Sequence, residues 1–289
     1  MKRRNFIGTS AAASVGFLTT SAAMANNENK NLSPKLKYNI NHSVCYWCYD
    51  SIPFEDFLKH LVAMDIRSID LVGPDEFPLL KKYNIHASMC WGAGKGIVEG
   101  WNDPKLHDEL IADYERVIPL VAEAGYTNLI CFSGNRNGMD DMVGLRNCAK
   151  GLKQLMPLAE KHGVVLQMEL LNSKINHKDY MCDTSEWGVS LCETIGSENF
   201  KLLYDIYHMQ IMEGDIIRNI QDYHQYYGHY HTGGNPGRHE IDETQEIFYP
   251  AVMKAIVETG YTGHVAQEFV PSWEDKLAAL KQGVTICDV

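Results

Sequence analysis

The chain has 289 residues, 45% of them apolar and 22% charged, which suits one large globular domain and excludes a disordered chain. Its formal net charge of −11 argues against nucleic acid or an anionic membrane as partner, because both reward basic surface. No cluster of Lys and Arg interleaved with aromatics occurs beyond the first four residues.

The N-terminus carries Lys2, Arg3 and Arg4, then Asn5-Phe6-Ile7, then a mildly apolar Ala/Ser/Thr stretch ending at Ala23-Met24-Ala25. This is the layout of an export signal with an A-x-A cleavage site. The paired arginines before x-Phe-Ile are similar to a twin-arginine signal. Residues 1–25 are therefore expected to be a twin-arginine-type signal peptide, which places the mature protein in the periplasm. That segment holds three basic residues and no acidic one, so its removal takes the net charge from −11 to −14. It is too short and too polar for a good membrane span, and no span is expected in the mature chain. Residues 26–36 (NNENKNLSPKL) are polar and read as a linker.

From residue 37 to 289 strand-like and helix-like runs alternate without a composition break. Strands are expected at 37–44, 68–72, 85–90, 127–132, 164–170, 200–205, 227–231 and 263–268. Helices are expected at 53–64, 75–82, 105–124, 140–162, 184–195, 214–225, 245–259 and 274–286. Gly125, Gly163 and Gly260 each follow a helical stretch, the usual left-handed end position. Eight strand–helix units of this length predict a single-domain α/β fold, a (β/α)₈ TIM barrel of about 250 residues.

Most of the eight cysteines sit inside apolar runs, as in Met89-Cys90-Trp91 and Ile130-Cys131-Phe132, where buried thiols are the ordinary explanation. Cys45-Tyr-Trp-Cys48 has redox-motif spacing without the surrounding pattern of a redox domain. The Gly/Trp-rich stretch from Trp91 to Trp101 lacks phosphate-loop spacing. It reads as a flap over the barrel mouth with Trp91 or Trp101 as an apolar lid, or as a plain surface loop. Ser133, Asn135 and Arg136 follow the fourth strand and are candidates for lining the mouth.

The chemistry-bearing residues gather in the second half. Glu169, Asp205, His231 and Glu268 each stand at or just past the end of a strand-like run, with spacings of 36, 26 and 37 residues. In a parallel barrel the C-terminal strand ends carry the active site, so all four are expected on one rim. Three carboxylates and one imidazole suit a single divalent ion, with Mn²⁺, Mg²⁺ or Co²⁺ ahead of Zn²⁺. Asn172 and His177 follow Glu169 and are expected to build the rim near a substrate. No G-x-S-x-G nucleophile elbow occurs.

Asp205-Ile-Tyr-His208-Met-Gln210, Pro236-Gly237-Arg238-His-Glu240 and Gly263-His-Val-x-x-Glu268-Phe resemble the hydroxypyruvate isomerase-like branch of the xylose-isomerase-like TIM barrels. The similarity spans residue 37 to the end and is densest from Glu169 onward. It implies aldose–ketose isomerisation or epimerisation with one divalent ion. Glu169 and Glu268 match the paired glutamates that bind the metal and move protons; Asp205 and His231 match the other two ligands. His208 and Arg238 match positions that contact substrate oxygens. His231 stands where enzymes acting on hydroxypyruvate commonly have Gln; His there is more typical of the ketose 3-epimerase branch.

The physical case for such a reaction is that a C–H beside a carbonyl must be acidified. A metal chelated by carbonyl and hydroxyl oxygens stabilises the enediolate, one carboxylate removes the proton and the other returns it. The expected substrate is a small sugar or hydroxy-carbonyl compound, and a free or keto-sugar fits the periplasm better than a central-pathway acid. A lyase or hydratase using the same site is the alternative. Another is a non-catalytic exported sugar-binding protein, although binding alone has no need of a second acid/base group. A three-zinc DNA-repair barrel is disfavoured by charge and by too few ligands. Homo-oligomeric assembly is compatible with everything in the sequence.

Overall fold

The structure is a computed structural model and describes residues 35–289. The expected signal peptide and nearly all of the expected 26–36 linker lie outside the described residues.

Among the described residues eight strands form one parallel sheet. They are β1 (Asn41–Val44), β2 (Ser68–Val72), β3 (His86–Cys90), β4 (Asn128–Cys131), β5 (Val165–Glu169), β6 (Phe200–Asp205), β7 (Tyr227–Thr232) and β8 (His264–Gln267). Their order is β1-β8-β7-β6-β5-β4-β3-β2, and a parallel bridge between Cys45 and Asp70 draws β1 to β2 at the seam. The sheet is thus a nearly closed barrel, as the alternation predicts. Each strand lies within one residue of its expected bounds, except that β1 starts later, at Asn41.

Helices α1 (Phe54–Ala63), α2 (Phe77–Tyr83) and α3 (His107–Glu123) fall in the first three expected stretches. The fourth stretch differs: residues 140–162 are two helices, α4 (Asp141–Leu152) and α5 (Met156–His162). Pro157 explains the break. Its ring collides with the carbonyl four residues back in a continuous helix and it offers no N–H, whereas the first turn of a new helix accepts it.

Helix α6 (Ser185–Ile195) starts under a Thr184 cap. Then comes one unexpected helix, α7 (Ile206–Met212), which begins directly at the end of β6, with Asp205 capping it through the His208 N–H. The remaining helices are α8 (Ile216–Tyr223), α9 (Tyr249–Glu258) and α10 (Lys276–Cys287).

Register aligns the rim. Asp205 pairs with His231, Glu169 with Leu203, and Thr232 with Gln267, the residue before Glu268. The apolar faces of helices and strands make one continuous core. All eight cysteines are free and buried, which agrees with their apolar settings. Trp101 is not a lid: it is buried at 1% exposure, packed on His107 and Tyr114. Trp91 is the exposed one of the pair at 39%. The Trp91–Trp101 stretch is anchored where the Trp101 and Asn102 N–H groups donate to the Phe132 and Ser133 carbonyls.

Candidate active and metal site

The four strand-end residues converge. One ligand atom from each of Glu169, Asp205, His231 and Glu268 lies within 4.8 Å of all the others, and all four side chains are buried. His231 Nδ1 sits between the glutamates, 2.7 Å from Glu268 Oε2 and 3.2 Å from Glu169 Oε1.

Arg238 reaches in from the loop after β7. Its guanidinium donates to Glu268 Oε2 at 2.6 Å and lies 3.4 Å from Asp205 Oδ2, while its Nε donates to the Glu268 carbonyl. The rings of Trp47 and Tyr207 stand 5.2 and 5.5 Å from that guanidinium. Trp47 also donates its indole N–H to Glu268 Oε1 at 2.8 Å.

His208, at the start of α7, is wholly buried. Its Nδ1 accepts from the Asn172 amide at 2.5 Å, so the neutral ring carries its hydrogen on Nε2. That Nε2 faces Asp205 Oδ2 at 3.6 Å and has no hydrogen-bond partner. Asn172 Oδ1 meanwhile accepts from the Ile175 and Asn176 N–H groups. Asn172 is therefore spent on shaping the loop and holding His208. His177, half-buried, packs its ring 5.2 Å from that of His208.

Electrostatics separates the carboxyls. Burial works to raise Glu268, but Arg238, His231 and the Trp47 N–H outweigh it and hold this carboxyl well below the usual range. Burial pushes Asp205 up to about 8; Arg238 opposes and the two glutamates reinforce the rise. Glu169 is raised by burial and by Glu268, against its contact with His231. Burial lowers the His208 ring well below its usual range, and Arg238 and His177 add to that.

Three buried carboxyls crowded around one imidazole is a costly arrangement for protein groups alone. The set matches the oxygen-rich, one-nitrogen donor chemistry of a divalent cation, so the residues present fit one metal ion.

Other candidates take supporting roles. Ser133 accepts from the Cys182 N–H, and Arg136 binds Asp141 and Asp183, which ties the loop after β4 to the one after β5. Glu240 accepts from the Ser272 and Trp273 N–H groups, which locks the Arg238 loop to the segment after β8. Sequence reasoning missed Trp47 and Asp70. Trp47 gave no signal beyond its type; Asp70 did, as an acid in the middle of the apolar run Ser-Ile-Asp-Leu-Val.

Residues 78–284, more than half of the chain, match the family model described as a xylose isomerase-like TIM barrel. The chain belongs to that family. Within the xylose isomerase-like barrels it is similar to the putative hydroxypyruvate isomerase of Homo sapiens, 28% identical over 42% of this chain and 44% of that protein. It is 29% identical to the 2-oxo-tetronate isomerase of Pectobacterium atrosepticum, over 77% of this chain and 88% of that protein. The chain thus spans under half the length of the first of these curated relatives. Among solved structures, the 3-keto-D-glucoside 4-epimerase of Escherichia coli superposes with a TM-score of 0.72 at 16% identity, over 85% of this chain and 98% of that one. At that identity the likeness speaks for the fold. The hydroxypyruvate isomerase-like resemblance read from the motifs is borne out.

Proposed function

We propose that the protein is a metal-dependent isomerase or epimerase of a small sugar or hydroxy-carbonyl compound. The observation that carries this reading is the convergence of Glu169, Asp205, His231 and Glu268 within 4.8 Å on the C-terminal rim. Similarity to the hydroxypyruvate and 2-oxo-tetronate isomerases supports the reaction class.

These four residues would hold one divalent ion, which supplies Lewis-acid polarisation of a carbonyl oxygen. The protein groups divide the remaining work. Glu268, kept ionised by Arg238, is the group suited to take a proton from the carbon beside the carbonyl. Glu169, raised by burial, is suited to return one at the neighbouring carbon or the opposite face. Two carboxyls whose environments push their affinities for a proton apart are what such a pair requires. His208, neutral and with an unpartnered Nε2–H, is placed to donate to a substrate oxygen. Arg238 acts mainly by holding Glu268 and Asp205, with His177 at the rim. The N-terminal motif adds periplasmic placement to the proposal, which cell fractionation tests, and makes a free or keto-sugar the leading substrate class.

The decisive experiment incubates the metal-loaded protein with ketoses, keto-sugars and hydroxy-keto acids in D₂O. Deuterium should appear next to the carbonyl of at least one compound, at a rate lost in Glu169→Gln and in Glu268→Gln. Metal analysis should show about one divalent ion per chain. Absence of exchange across the panel, or full activity in either variant, would overturn the reading.

A further inference from the structure

Below the metal cluster, Asp70 occupies the barrel lumen without any solvent exposure. Its Oδ1 accepts from Ser43 Oγ on β1 at 2.5 Å and from Ser88 Oγ on β3. Its Oδ2 meets His229 Nε2 and, at 3.1 Å, His231 Nε2, both on β7. Across the seam that the Cys45–Asp70 bridge closes, β1 and β8 still lie between β2 and β7, so these contacts cross the lumen.

The backbone of β2 is shaped around this side chain. The register with β3 shifts on both sides of Asp70, and the next residue, Leu71, takes φ 59°. A left-handed leucine is a steric outlier. Bulges of this kind re-aim side chains next to active sites.

A carboxylate only accepts hydrogen bonds. Whatever contacts ionised Asp70 must therefore bring a hydrogen, and His231 brings it on Nε2. The other nitrogen of that ring, Nδ1, faces Glu268 and Glu169 at 2.7 and 3.2 Å; by the same rule it carries a hydrogen toward ionised Glu268, and it is the nitrogen that gives that hydrogen up to take an ion. Cys45 Sγ, 3.7 Å from Nε2, is too weak an acceptor to set the state of the ring by itself.

We propose that Asp70 is a positioning residue: it pins His231 in the Nε2–H state, so that Nδ1 is the nitrogen presented to the metal. This rests on the reading of His231 as a metal ligand. A carboxylate behind a ligating imidazole fixes its tautomer and orientation and raises its basicity, and loss of such a partner typically weakens metal binding about 10- to 100-fold. Asp70→Asn is the informative change, because the amide nitrogen can donate to Nε2 and favour the opposite tautomer. His229 makes the same contact with Asp70 without facing the cluster, so His229→Asn perturbs the lumen but spares the His231 bond.

The experiment titrates the metal-stripped full chain with Mn²⁺ by calorimetry for the wild type, Asp70→Asn and His229→Asn. In parallel, the ring nitrogens of His231 are observed by ¹⁵N NMR, assigned through His231→Gln, in the metal-free and Mg²⁺-loaded protein. The expected result is a low-field Nε2–H proton in the wild type that Asp70→Asn abolishes. Mn²⁺ affinity should fall about 10- to 100-fold in Asp70→Asn and much less in His229→Asn. Unchanged affinity and an unchanged Nε2–H signal in Asp70→Asn overturn the proposal, as does an equal loss in both variants. If Asp70→Asn fails to fold, the wild-type spectrum decides: a His231 ring without hydrogen on Nε2 refutes the assignment. A wild type that binds no Mn²⁺ overturns the metal reading itself, a result distinct from wild-type binding that the Asp70 exchange leaves intact.

Discussion

Trp47→Phe isolates a single hydrogen bond at the heart of the site. The indole N–H donates to Glu268 Oε1 at 2.8 Å while the ring lies 5.2 Å from the Arg238 guanidinium. Phenylalanine keeps an aromatic plane beside Arg238 and removes only the donor. A hydrogen bond to a charged group contributes about 1.5–3 kcal/mol net. Trp47 is 42% exposed, and water replaces part of the loss, so about 1–1.5 kcal/mol remains. If that interaction operates in the transition state, kcat/KM should fall about 5- to 13-fold. The sign of the pH effect follows as well. The Trp47 N–H is one of the influences that lower Glu268, so without it the carboxylate takes a proton at higher pH and the acidic limb of kcat/KM moves upward. The assay is solvent deuterium exchange with the best substrate from the panel, followed from about pH 7 down to and below the ordinary carboxylate range near 4 at matched metal content. Unchanged kcat/KM together with an unmoved acidic limb would refute the role assigned to this contact.

Asn172→Ala strips the donor that holds His208 Nδ1 and leaves buried polar groups unpaired, at about 1–3 kcal/mol; calorimetry should show a lower Tm, with activity reduced further than stability accounts for. Burial, aided by His229, lowers His264 to about 4 against an ordinary 6.5. The unfolded chain then takes the proton first, so this contribution is whole above pH 6.5 and drains away as pH falls toward 4, by at most about 3 kcal/mol. Urea titrations at pH 7 and 4.5 should show a smaller difference for His264→Gln than for the wild type. Gly100→Ala would place a Cβ under 3.0 Å from backbone atoms of Phe132, Ser133 and Gly134, where only backbone movement gives relief. About 1–3 kcal/mol of destabilisation is expected, read from chemical denaturation.

Much of the barrel was legible because strand and helix periods are local. Apolar runs ending in Glu169, Asp205, His231 and Glu268 announce strand ends, and parallel topology places all such ends on one rim. The exceptions are equally physical. The split of 140–162 falls at Pro157, which sits in the first turn of α5, where its missing N–H costs nothing. Helix α7 was hidden because Asp205 serves two elements at once, closing β6 and capping the turn that follows through the His208 N–H.

The succession of strands, the family and the four residues that share the rim are readable from the chain alone. How each of those residues is supported emerges in the folded barrel. Arg238 proves to be a partner of Glu268 and Asp205, and Asn172 a holder of His208. Trp47 reaches Glu268 across 221 residues and Asp70 reaches His231 across 161. No periodicity encodes such pairs, because barrel closure brings into one lumen side chains from strands far apart in the chain. The contact behind the His231 ring is made by a carboxylate whose only mark in the sequence is its place inside an apolar strand.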